Sequence, residues 1–413
     1  MLTSIALALG RVCDVVRDFG AAGDNHTEDT AAVAAAIAQC DSVQFPAGYK
    51  FLLRPIRLRS HQQLIIDGTL VAWPYLTSWP NSTQLQCTLT PYLTPAAKLK
   101  LAPQLESLLW GANLTNVSIR GSGTLDGQGW RWWPKINDTS HGAYWHTCRP
   151  HLLYLGHHHA DSGVTDLTVS GITLKDSPFW TFTAKGVKNV HIRGVTVTTT
   201  GCGYAESPNT DGFNVGGDNI LIEDSTVRNG DDCVALSAPS RNVTVRNLTC
   251  SCGNGPTVSI WPRFSIPNTS AGVARDVTFD QITLVRTSNA VSLKSYPSFL
   301  GQATNVSYTN MRLEEVEIGI AVNFFGQGAE DAARAGGPVS ASASSLRIEN
   351  VSGTVRQAYG HLNCGETAAD EPCTGLRMHN VTLKPAAAAV KPYTCMNAHG
   401  VATSCQPEPC LKP

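Results

Sequence analysis

The chain has 413 residues, of which 42% are hydrophobic and 15% charged, with 31 basic against 32 acidic side chains. Phosphate binding needs clustered Lys and Arg, and the chain has no basic block, so nucleic acid is excluded as an expected partner. No apolar run approaches the roughly 18 residues of a membrane-spanning helix, so no membrane contact is predicted.

The N-terminal segment contains two predicted elements. Residues 1–11 open with MLTSIALALG, which is similar to the apolar part of a signal peptide but lacks a basic start, and we interpret it as a signal-peptide remnant. A helix is predicted next, because Val33, Ile37 and Cys40 fall on one face and Thr27 or Asp29 can cap it. A short helix here would cover the exposed apolar end of a solenoid.

Short strand-like phrases recur along the rest of the chain. Each opens with a turn-forming or small residue and then alternates apolar with polar side chains, as in NVSIRG at 116, DLTVSG at 166 and NVHIRG at 189. Further phrases begin at 219, 242, 276, 305, 345 and 375. After a first gap of about 50 residues, the intervals of about 23 to about 40 residues fit coils of a parallel β-helix with loops of varying length.

The spaces between these phrases contain almost no helical pattern, which argues against βαβ units. We therefore predict an all-β parallel β-helix, a solenoid, in one domain over residues 12–385. Residues 386–413 are rich in Cys and Pro and are predicted to form a disulfide-stapled C-terminal extension.

Cysteines and glycosylation sequons indicate the compartment. The chain has 13 Cys but no Cys-x-x-Cys, and no His is grouped with short pairs such as Cys250/Cys252. Disulfides are therefore favoured over zinc, and the odd total leaves one thiol free or paired with another chain. We predict a secreted, extracellular glycoprotein that is a monomer.

The sequons have an alternative explanation, because Asn-Val-Ser/Thr also belongs to the turn-then-strand repeat, and this alternative stays open here. The sequon asparagines are Asn25, Asn81, Asn113, Asn116, Asn137, Asn242, Asn247, Asn268, Asn305, Asn350 and Asn380.

Three aspartates gather in SPNTDGFNVGG (207–217) and RNGDDCVAL (228–236). Asp211 and Asp231 are 20 residues apart and Asp232 and Asn254 are 22 apart, each close to one short coil. Equivalent positions on successive coils lie about 4.8 Å apart, so we expect a column of these side chains, with Lys294 further along. One carboxyl group acting as acid beside another acting as base is what inverting glycoside hydrolysis uses. A turn and a strand end would also explain the aspartates, and calcium binding is another common use of acidic clusters.

The motifs NTDGFNV and GDDCVAL resemble the signature of the polygalacturonase family, glycoside hydrolase family 28. The likeness extends to residues 12–37, to GSGTLDGQGWRWW (121–133) and to LKDSPFWTF (174–182). The resemblance implies a right-handed parallel β-helix that hydrolyses a pectic polysaccharide with inversion. No cofactor and no metal are predicted.

The matching motifs also imply roles for individual residues. Asp231 would be the general acid, and Asp211 with Asp232 would hold and deprotonate the attacking water. Asn209 would position the substrate or the acidic column. Cys233 would pair with Cys250 or Cys252.

Two departures from the family pattern concern substrate recognition. The usual Gly-His-Gly corresponds to a motif centred on Asn254, and the usual Arg-Ile-Lys corresponds to Ser292-Leu293-Lys294. Arg binds a carboxylate bidentately in a way Ser cannot, so weaker binding of galacturonate is expected, with Lys294 still supplying a charge. Asn254 can form hydrogen bonds but, unlike His, cannot take up a proton at working pH. We expect Asn209, Asn254 and Lys294 to contact substrate.

Alternative functions differ in class. The enzyme could act on a rhamnogalacturonan, or act from chain ends if the insertion over 71–93 closes the cleft. The missing His and Arg also suit a carbohydrate-binding β-helix with little turnover. A calcium-dependent pectate lyase is disfavoured, because we identify no basic residue beside the column to abstract the proton.

Three other clusters are interpreted as structural. The histidines at 157–159 alternate faces on an extended strand, so a solvated turn or loop is favoured over a metal site. Tryptophans 130, 132 and 133 are expected to pack a coil edge rather than stack on sugar. Glutamates 314, 315 and 317 are expected on the solvated edge of a strand.

Overall fold

A computed structural model describes residues 11–88, 101–137, 148–156, 163–260, 272–295, 300–324, 340–365 and 373–413. Within these ranges 26 strands join in one sheet whose pairings are parallel, and the sheet winds into a right-handed β-helix. The predicted fold class is confirmed. None of the helices in the described ranges is both long and apolar enough to cross a membrane.

The N-terminal part contains one helix and nine strands: α1 (Thr30–Gln39), β1 (Val12–Asp14), β2 (Asp24–Glu28), β3 (Ser42–Phe45), β4 (Lys50–Leu53), β5 (Ile56–Arg57), β6 (Gln63–Ile66), β7 (Thr69–Ala72), β8 (Asn81–Thr88) and β9 (Leu101–Leu105). The β8–β9 pair is an antiparallel hairpin outside the main sheet. Short 3₁₀ turns lie at Leu76–Ser78, Gly129–Arg131 and Trp133–Asn137.

The remaining strands complete the solenoid: β10 (Leu109–Gly111), β11 (Leu114–Arg120), β12 (Thr124–Asp126), β13 (Leu153–Gly156), β14 (Val164–Ser170), β15 (Thr173–Lys175), β16 (Phe182–Arg193), β17 (Thr196–Thr198), β18 (Phe213–Arg228), β19 (Asp232–Ser237), β20 (Ser240–Ser251), β21 (Asn254–Ser259), β22 (Gly272–Val285), β23 (Asn289–Lys294), β24 (Leu300–Asn323), β25 (Ser340–Asn363), β26 (Cys373–Pro385), β27 (Thr394–Met396) and β28 (Ala398–Thr403).

The strands stack in three columns, which form three faces of the solenoid. Face 1 runs from β5 through β10, β13, the starts of β16 and β18, then β19, β21, β23 and the ends of β24 and β25 to β27. Face 2 contains β1, β3, β6, β11, β14 and the central parts of the long strands, and it ends at β28. Face 3 contains β2, β4, β7, β12, β15, β17 and the far ends of the long strands.

Columns of apolar side chains fill the interior. On face 1, successive coils align one buried residue each: Leu155, Ala184, Val215, Leu236, Val258, Leu293, Val322 and Leu362. Full burial of a large aliphatic side chain contributes roughly 1.5–3 kcal/mol, so the column favours one register between coils. Side chains at alternate positions of the same strands point outward from face 1.

The turn residues that open the nine predicted phrases share a backbone conformation with positive φ. They are Asn116, Asp166, Asn189, Asn219, Asn242, Asp276, Asn305, Ser345 and Gly375. Asn, Asp and Gly tolerate this left-handed region better than other residues, which explains their recurrence at one corner of the solenoid.

The asparagines at this corner also bind one another across coils. The Asn219 amide donates to Asn189 Oδ1 at 3.1 Å and accepts from Asn242 Nδ2 at 3.0 Å. A second ladder, at a different turn of the coils, joins Asn350 to Asn310 at 3.1 Å and Asn380 to Asn350 at 2.9 Å. The ladders include five of the sequon asparagines as donors: Asn242, Asn247, Asn305, Asn350 and Asn380. The repeat therefore accounts for these sequons.

The helix α1 lies at the N-terminal end of the solenoid. Val33 and Ile37 are buried, as the predicted face requires, and Cys40 is buried in a disulfide with Cys13. Asp29 occupies the N-cap position, but its carboxylate accepts hydrogen bonds from the amides of Ala22 and Gly23 instead of capping α1.

Six disulfides connect twelve of the 13 cysteines, so the disulfide prediction is confirmed. They are Cys13–Cys40, Cys87–Cys148, Cys202–Cys252, Cys233–Cys250, Cys364–Cys373 and Cys395–Cys410. Cys405 is the remaining free thiol. Of the two partners that the resemblance implied for Cys233, the structure has Cys250. Within residues 386–413, β27 and β28 pair with β25 and β26, so this segment adds a last coil.

The asparagine ladder should contribute measurably to stability. Asn219→Ala removes two ladder hydrogen bonds. It also leaves alanine, which tolerates the left-handed region less well than asparagine, at a φ of 57°. We expect a loss of about 2 kcal/mol in the free energy of unfolding, measured by chemical denaturation. Asn219→Gly loses the same bonds without the steric cost and should be less destabilised. Equal losses in the two variants would show that the left-handed backbone contributes nothing.

Candidate active site

The inter-coil register brings the predicted acidic column together on face 1. The Gly212 amide donates to the Asp232 carbonyl at 2.9 Å, and the Asn254 amide donates to the Asp231 carbonyl at 2.7 Å. Asp232 pairs in register with Asn254. Asp211, Asp232 and Asn254 therefore occupy matching places on three successive coils, at the corner where face 1 begins.

Amide groups and one backbone N–H surround the Asp231 carboxylate, which is half-buried. Its Oδ1 accepts from Asn254 Nδ2 at 3.0 Å and from the Asp232 amide at 2.9 Å. Its Oδ2 accepts from Asn209 Nδ2 at 3.4 Å. Of the three aspartates, Asp231 is the one that solvent reaches most.

Asp232 is buried and has a different set of partners. Its Oδ1 accepts from Asn254 Nδ2 at 3.1 Å and from the Thr257 hydroxyl at 3.0 Å. Its Oδ2 accepts from the Lys294 ammonium at 3.1 Å. Because the ammonium lies directly against this carboxylate, Asp232 has a cationic neighbour that stabilises its negative charge.

Asp211 is also buried, and its Oδ2 accepts from Asn214 Nδ2 at 3.1 Å. Asn214 lies one position before the inward-facing Val215, so its side chain points outward from face 1, where it contacts Asp211. Three carboxylates thus lie side by side in three different settings. Such differences allow one carboxyl group to hold a proton while others stay ionised.

The two departures from the family pattern are visible at the site. Asn254 uses its amide group to link Asp231 and Asp232, so it donates where a His would present a titrating ring. Ser292 is buried and stacks in register on Thr257, and its short side chain places no cation at the surface. Lys294 supplies a charge, as expected, but the ammonium is paired with Asp232.

A buried arginine lies behind the column. Arg149 is 0% exposed, and it donates to the carbonyls of Pro178 and Pro208 at 2.5 and 3.0 Å. It also donates through Nη2 to Asn209 Oδ1 at 2.8 Å. Burial lowers the pKa of Arg149 to about 9, against the opposing effect of nearby acidic groups that include Asp231. The guanidinium therefore stays charged at neutral and acidic pH.

Two further residues at the site carried no sequence signal that we recognised. Lys185 donates to the Ser237 hydroxyl at 2.6 Å and to the Val215 carbonyl at 3.3 Å, across the coil that contains Gly216. Tyr204 lies half exposed beside Asn209, and partial burial followed by the charge of Asp231 raises its pKa.

The predicted structural roles of the tryptophans are confirmed for two of the three. Trp132 packs edge-on against Trp79 at 5.8 Å, and the Trp133 indole donates to the Ser177 carbonyl at 3.1 Å. Trp130 is 49% exposed with the Arg131 guanidinium 4.3 Å above its ring, so the packing prediction is wrong for this residue.

Of the two other clusters interpreted as structural, the structure describes the glutamates but not the histidines. Glu314 and Glu315 are exposed on β24 and Glu317 is partly exposed, which confirms the solvated strand edge. The histidines at 157–159 and residues 89–93 of the insertion lie outside the described residues. In the part of the chain that the structure covers, no three His, Cys, Asp or Glu side chains are grouped to hold a metal.

Sequence comparisons relate the chain to known hydrolases. The profile of the family described as Glycosyl hydrolases family 28 matches residues 59–405. A probable polygalacturonase of Vitis vinifera is 27% identical over 421 residues, covering 95% of this chain and 79% of the relative. A polygalacturonase of Chamaecyparis obtusa is 27% identical over 402 residues, covering 93% of this chain and 70% of the relative.

Solved structures are similar in fold. An exopolygalacturonase from Thermotoga maritima has a TM-score of 0.69 at 19% identity, covering 93% of this chain and 92% of that one. An endo-xylogalacturonan hydrolase from Aspergillus tubingensis has a TM-score of 0.64 at 22% identity, covering 95% of this chain and 99% of that one.

The ion pair between Lys294 and Asp232 should be strongly coupled. Lys294→Met leaves a buried carboxylate without its ammonium, and we expect a loss of about 2–4 kcal/mol in the free energy of unfolding. Adding Asp232→Asn should restore most of that loss, as measured by a double-mutant cycle in chemical denaturation. Arg241→Met breaks the exposed pair with Asp218 and serves as the matched control, with an expected loss of at most about 1 kcal/mol. Additive losses at Lys294 and Asp232 would contradict the coupling.

Proposed function

The chain belongs to family 28 of the glycosyl hydrolases, and on that premise we propose which of its residues carry out the reaction and on what substrate. As a member of this family it is an inverting glycoside hydrolase, of the polygalacturonase-like type that hydrolyses pectin. The observation that carries the assignment of residues is the column on face 1, where three carboxyl groups on two adjacent coils have three different sets of partners.

Asp231 is the general acid in this proposal. It is the most solvent-accessible of the three aspartates, and its carboxylate accepts hydrogen bonds from two side-chain amides and a backbone N–H. A solvent-accessible carboxyl group on face 1 is placed to deliver a proton to the leaving glycosidic oxygen. General-acid catalysis of this kind contributes about 10²- to 10⁴-fold to the rate.

Asp232 and Asp211 are the groups that hold and deprotonate the attacking water. The ammonium of Lys294 stabilises the negative charge of Asp232, and the amide of Asn214 fixes the orientation of Asp211. A water between these carboxylates and the sugar attacks the anomeric carbon from the face opposite to the leaving group. Its proton passes to the carboxylate pair, and the anomeric configuration is inverted.

The substrate is proposed to be a pectic polysaccharide that contains galacturonate. The curated relatives are named polygalacturonases, and cations that suit an acidic polymer lie on face 1 at Lys294 and Lys185. Asn209 and Asn254 lie beside the acid and are proposed to contact the sugar next to the cleaved bond.

A second candidate substrate within the same reaction is a rhamnogalacturonan. Ser292 is short and buried, and the Lys294 ammonium already neutralises Asp232. A carboxylate on the sugar next to the cleaved bond would therefore have to share Lys294 with Asp232. A neutral rhamnose at that position avoids this competition. Cleavage from chain ends is proposed for the case in which the insertion over 71–93 closes one end of the substrate-binding face.

The cellular setting is proposed to be extracellular, with the protein acting as a monomer. Six disulfides suit an oxidising compartment outside the cytosol. The proposed substrate, a cell-wall polysaccharide, also lies outside the cell.

Replacing the proposed acid tests the catalytic assignment. Asp231→Asn keeps the size of the side chain but cannot donate a carboxyl proton, so kcat on pectic substrate should fall by about 10²- to 10⁴-fold. Reducing-end assays give the rate, and circular dichroism checks the fold. Asp218→Asn, on the exposed pair with Arg241, should retain wild-type activity. Comparable activity in Asp231→Asn and wild type would remove Asp231 from the reaction.

Product analysis tests the substrate. We expect oligomers whose first anomer, observed by NMR during the reaction, is inverted relative to the cleaved bond. Release from homogalacturonan supports the first candidate, and release from rhamnogalacturonan alone supports the second. Binding to both polymers without new reducing ends would instead indicate a carbohydrate-binding protein.

Restoring the family's arginine tests recognition. Ser292→Arg provides a bidentate partner for a sugar carboxylate, and we expect the KM for homogalacturonan to fall by about tenfold. Ser292→Met, which adds a long side chain without a charge, controls for the added bulk. An equal change in KM in the two variants would contradict carboxylate recognition at this position.

A further inference from the structure

We propose that Arg149 is a positioning residue of the active site: it orients the side-chain amide of Asn209 toward Asp231 and places a buried positive charge behind the acidic column. The inference rests on the function proposed above but concerns a residue from an earlier part of the chain. Arg149 lies 62 residues before Asp211 in the sequence. It belongs to the short described stretch 148–156, which starts at Cys148 of the Cys87–Cys148 disulfide.

The guanidinium is held on several sides. Its Nη1 donates to the carbonyls of Pro178 and Pro208, and its carbon lies 4.8 Å from the ring centroid of Phe179. Pro208 immediately precedes Asn209, so Arg149 fixes both the backbone and the side chain of this corner. A lysine could not satisfy these partners, because a single ammonium lacks the planar fork of an arginine.

The hydrogen bond to Asn209 determines which way its amide faces. A guanidinium only donates, so the Asn209 oxygen must point to Arg149, where the distance to Nη2 is 2.8 Å. The NH₂ group then points to Asp231 Oδ2, 3.4 Å away. Asn209 adopts a positive φ of 55°, which places its short side chain between the two groups. Arg149 therefore acts on the acid through one intervening amide.

The charge of Arg149 acts on two of the three aspartates, Asp211 and Asp231. The side chain is fully buried, so little solvent lies between the guanidinium and the carboxylates of Asp211 and Asp231. Electrostatic attraction over one intervening residue, in surroundings less polar than water, stabilises the ionised forms of these groups.

The experiment compares Arg149→Met and Arg149→Lys with wild type. Arg149→Met removes the charge and the fork, so both limbs of the pH profile of kcat/KM should move to higher pH by about half a unit or more, and kcat should fall by about tenfold or more. Arg149→Lys keeps the charge, so the limbs should stay near their wild-type positions while kcat still falls. Arg246→Met, which replaces the exposed partner of Glu223 on face 2, is the control and should change neither quantity.

A second readout does not depend on turnover. Protein labelled with ¹³C at the aspartate carboxyl groups is titrated by NMR, and Asp231→Asn identifies the Asp231 signal. We expect its titration midpoint to be higher in Arg149→Met than in wild type. If wild type hydrolyses no pectic polymer but this midpoint still moves, the proposed function fails and the inference about Arg149 stands.

Two results would overturn the inference. One is an Arg149→Met protein that loses only thermal stability, with unchanged pH limbs and an unchanged Asp231 midpoint. The other is an Arg149→Lys protein with wild-type kcat, which would show that the fork does not orient Asn209. Should Arg149→Met fail to fold, Arg149→Lys alone decides the matter.

Discussion

The inter-coil hydrogen bonds at the corner of face 1 determine the site. Backbone amides of Gly212 and Asn254 donate to the carbonyls of Asp232 and Asp231, and these bonds fix how far apart successive coils lie. Adjacent parallel strands are separated by about 4.8 Å, so carboxyl groups at matching places must be near neighbours. A slip of one residue would turn every side chain on the strand to the opposite side and destroy the column. The apolar column inside face 1 opposes such a slip.

Close carboxylates repel one another, and three kinds of neighbouring group offset this repulsion. Amide groups of Asn209, Asn214 and Asn254 donate to the oxygens, an ammonium pairs with Asp232, and the Arg149 guanidinium lies behind. The amides reach all three aspartates, the ammonium contacts Asp232, and the guanidinium acts on Asp211 and Asp231. In the proposed mechanism, the asymmetry of these partners, more than the mere presence of three carboxylates, distinguishes the acid from the base.

The sequence predicted the column and the phrases of face 2 because each depends on spacing within one or two coils. It predicted the presence of disulfides from the number of cysteines, but it left their pairing open, since the partners of Cys87–Cys148 and Cys202–Cys252 are 61 and 50 residues apart. It did not reveal Arg149 or Lys185, whose contacts cross coils separated by loops of varying length. Local spacing carries no information about which distant side chain reaches back to the site. The pairing of Lys294 with Asp232 was missed for the same reason, although Lys294 itself was singled out. Trp130 differs from its neighbours because its ring lies at the surface of a 3₁₀ turn, which sequence alternation does not describe.

The asparagine ladders bear on how such sequences are interpreted in general. A stacking corner selects Asn for its left-handed backbone and its amide, and the strand that follows often begins with an apolar residue and then Ser or Thr. Acceptor motifs for glycans therefore arise as a by-product of the repeat. In a solenoid built in this way, many such motifs follow from the repeat itself, and their number is not an independent sign of passage through a secretory pathway.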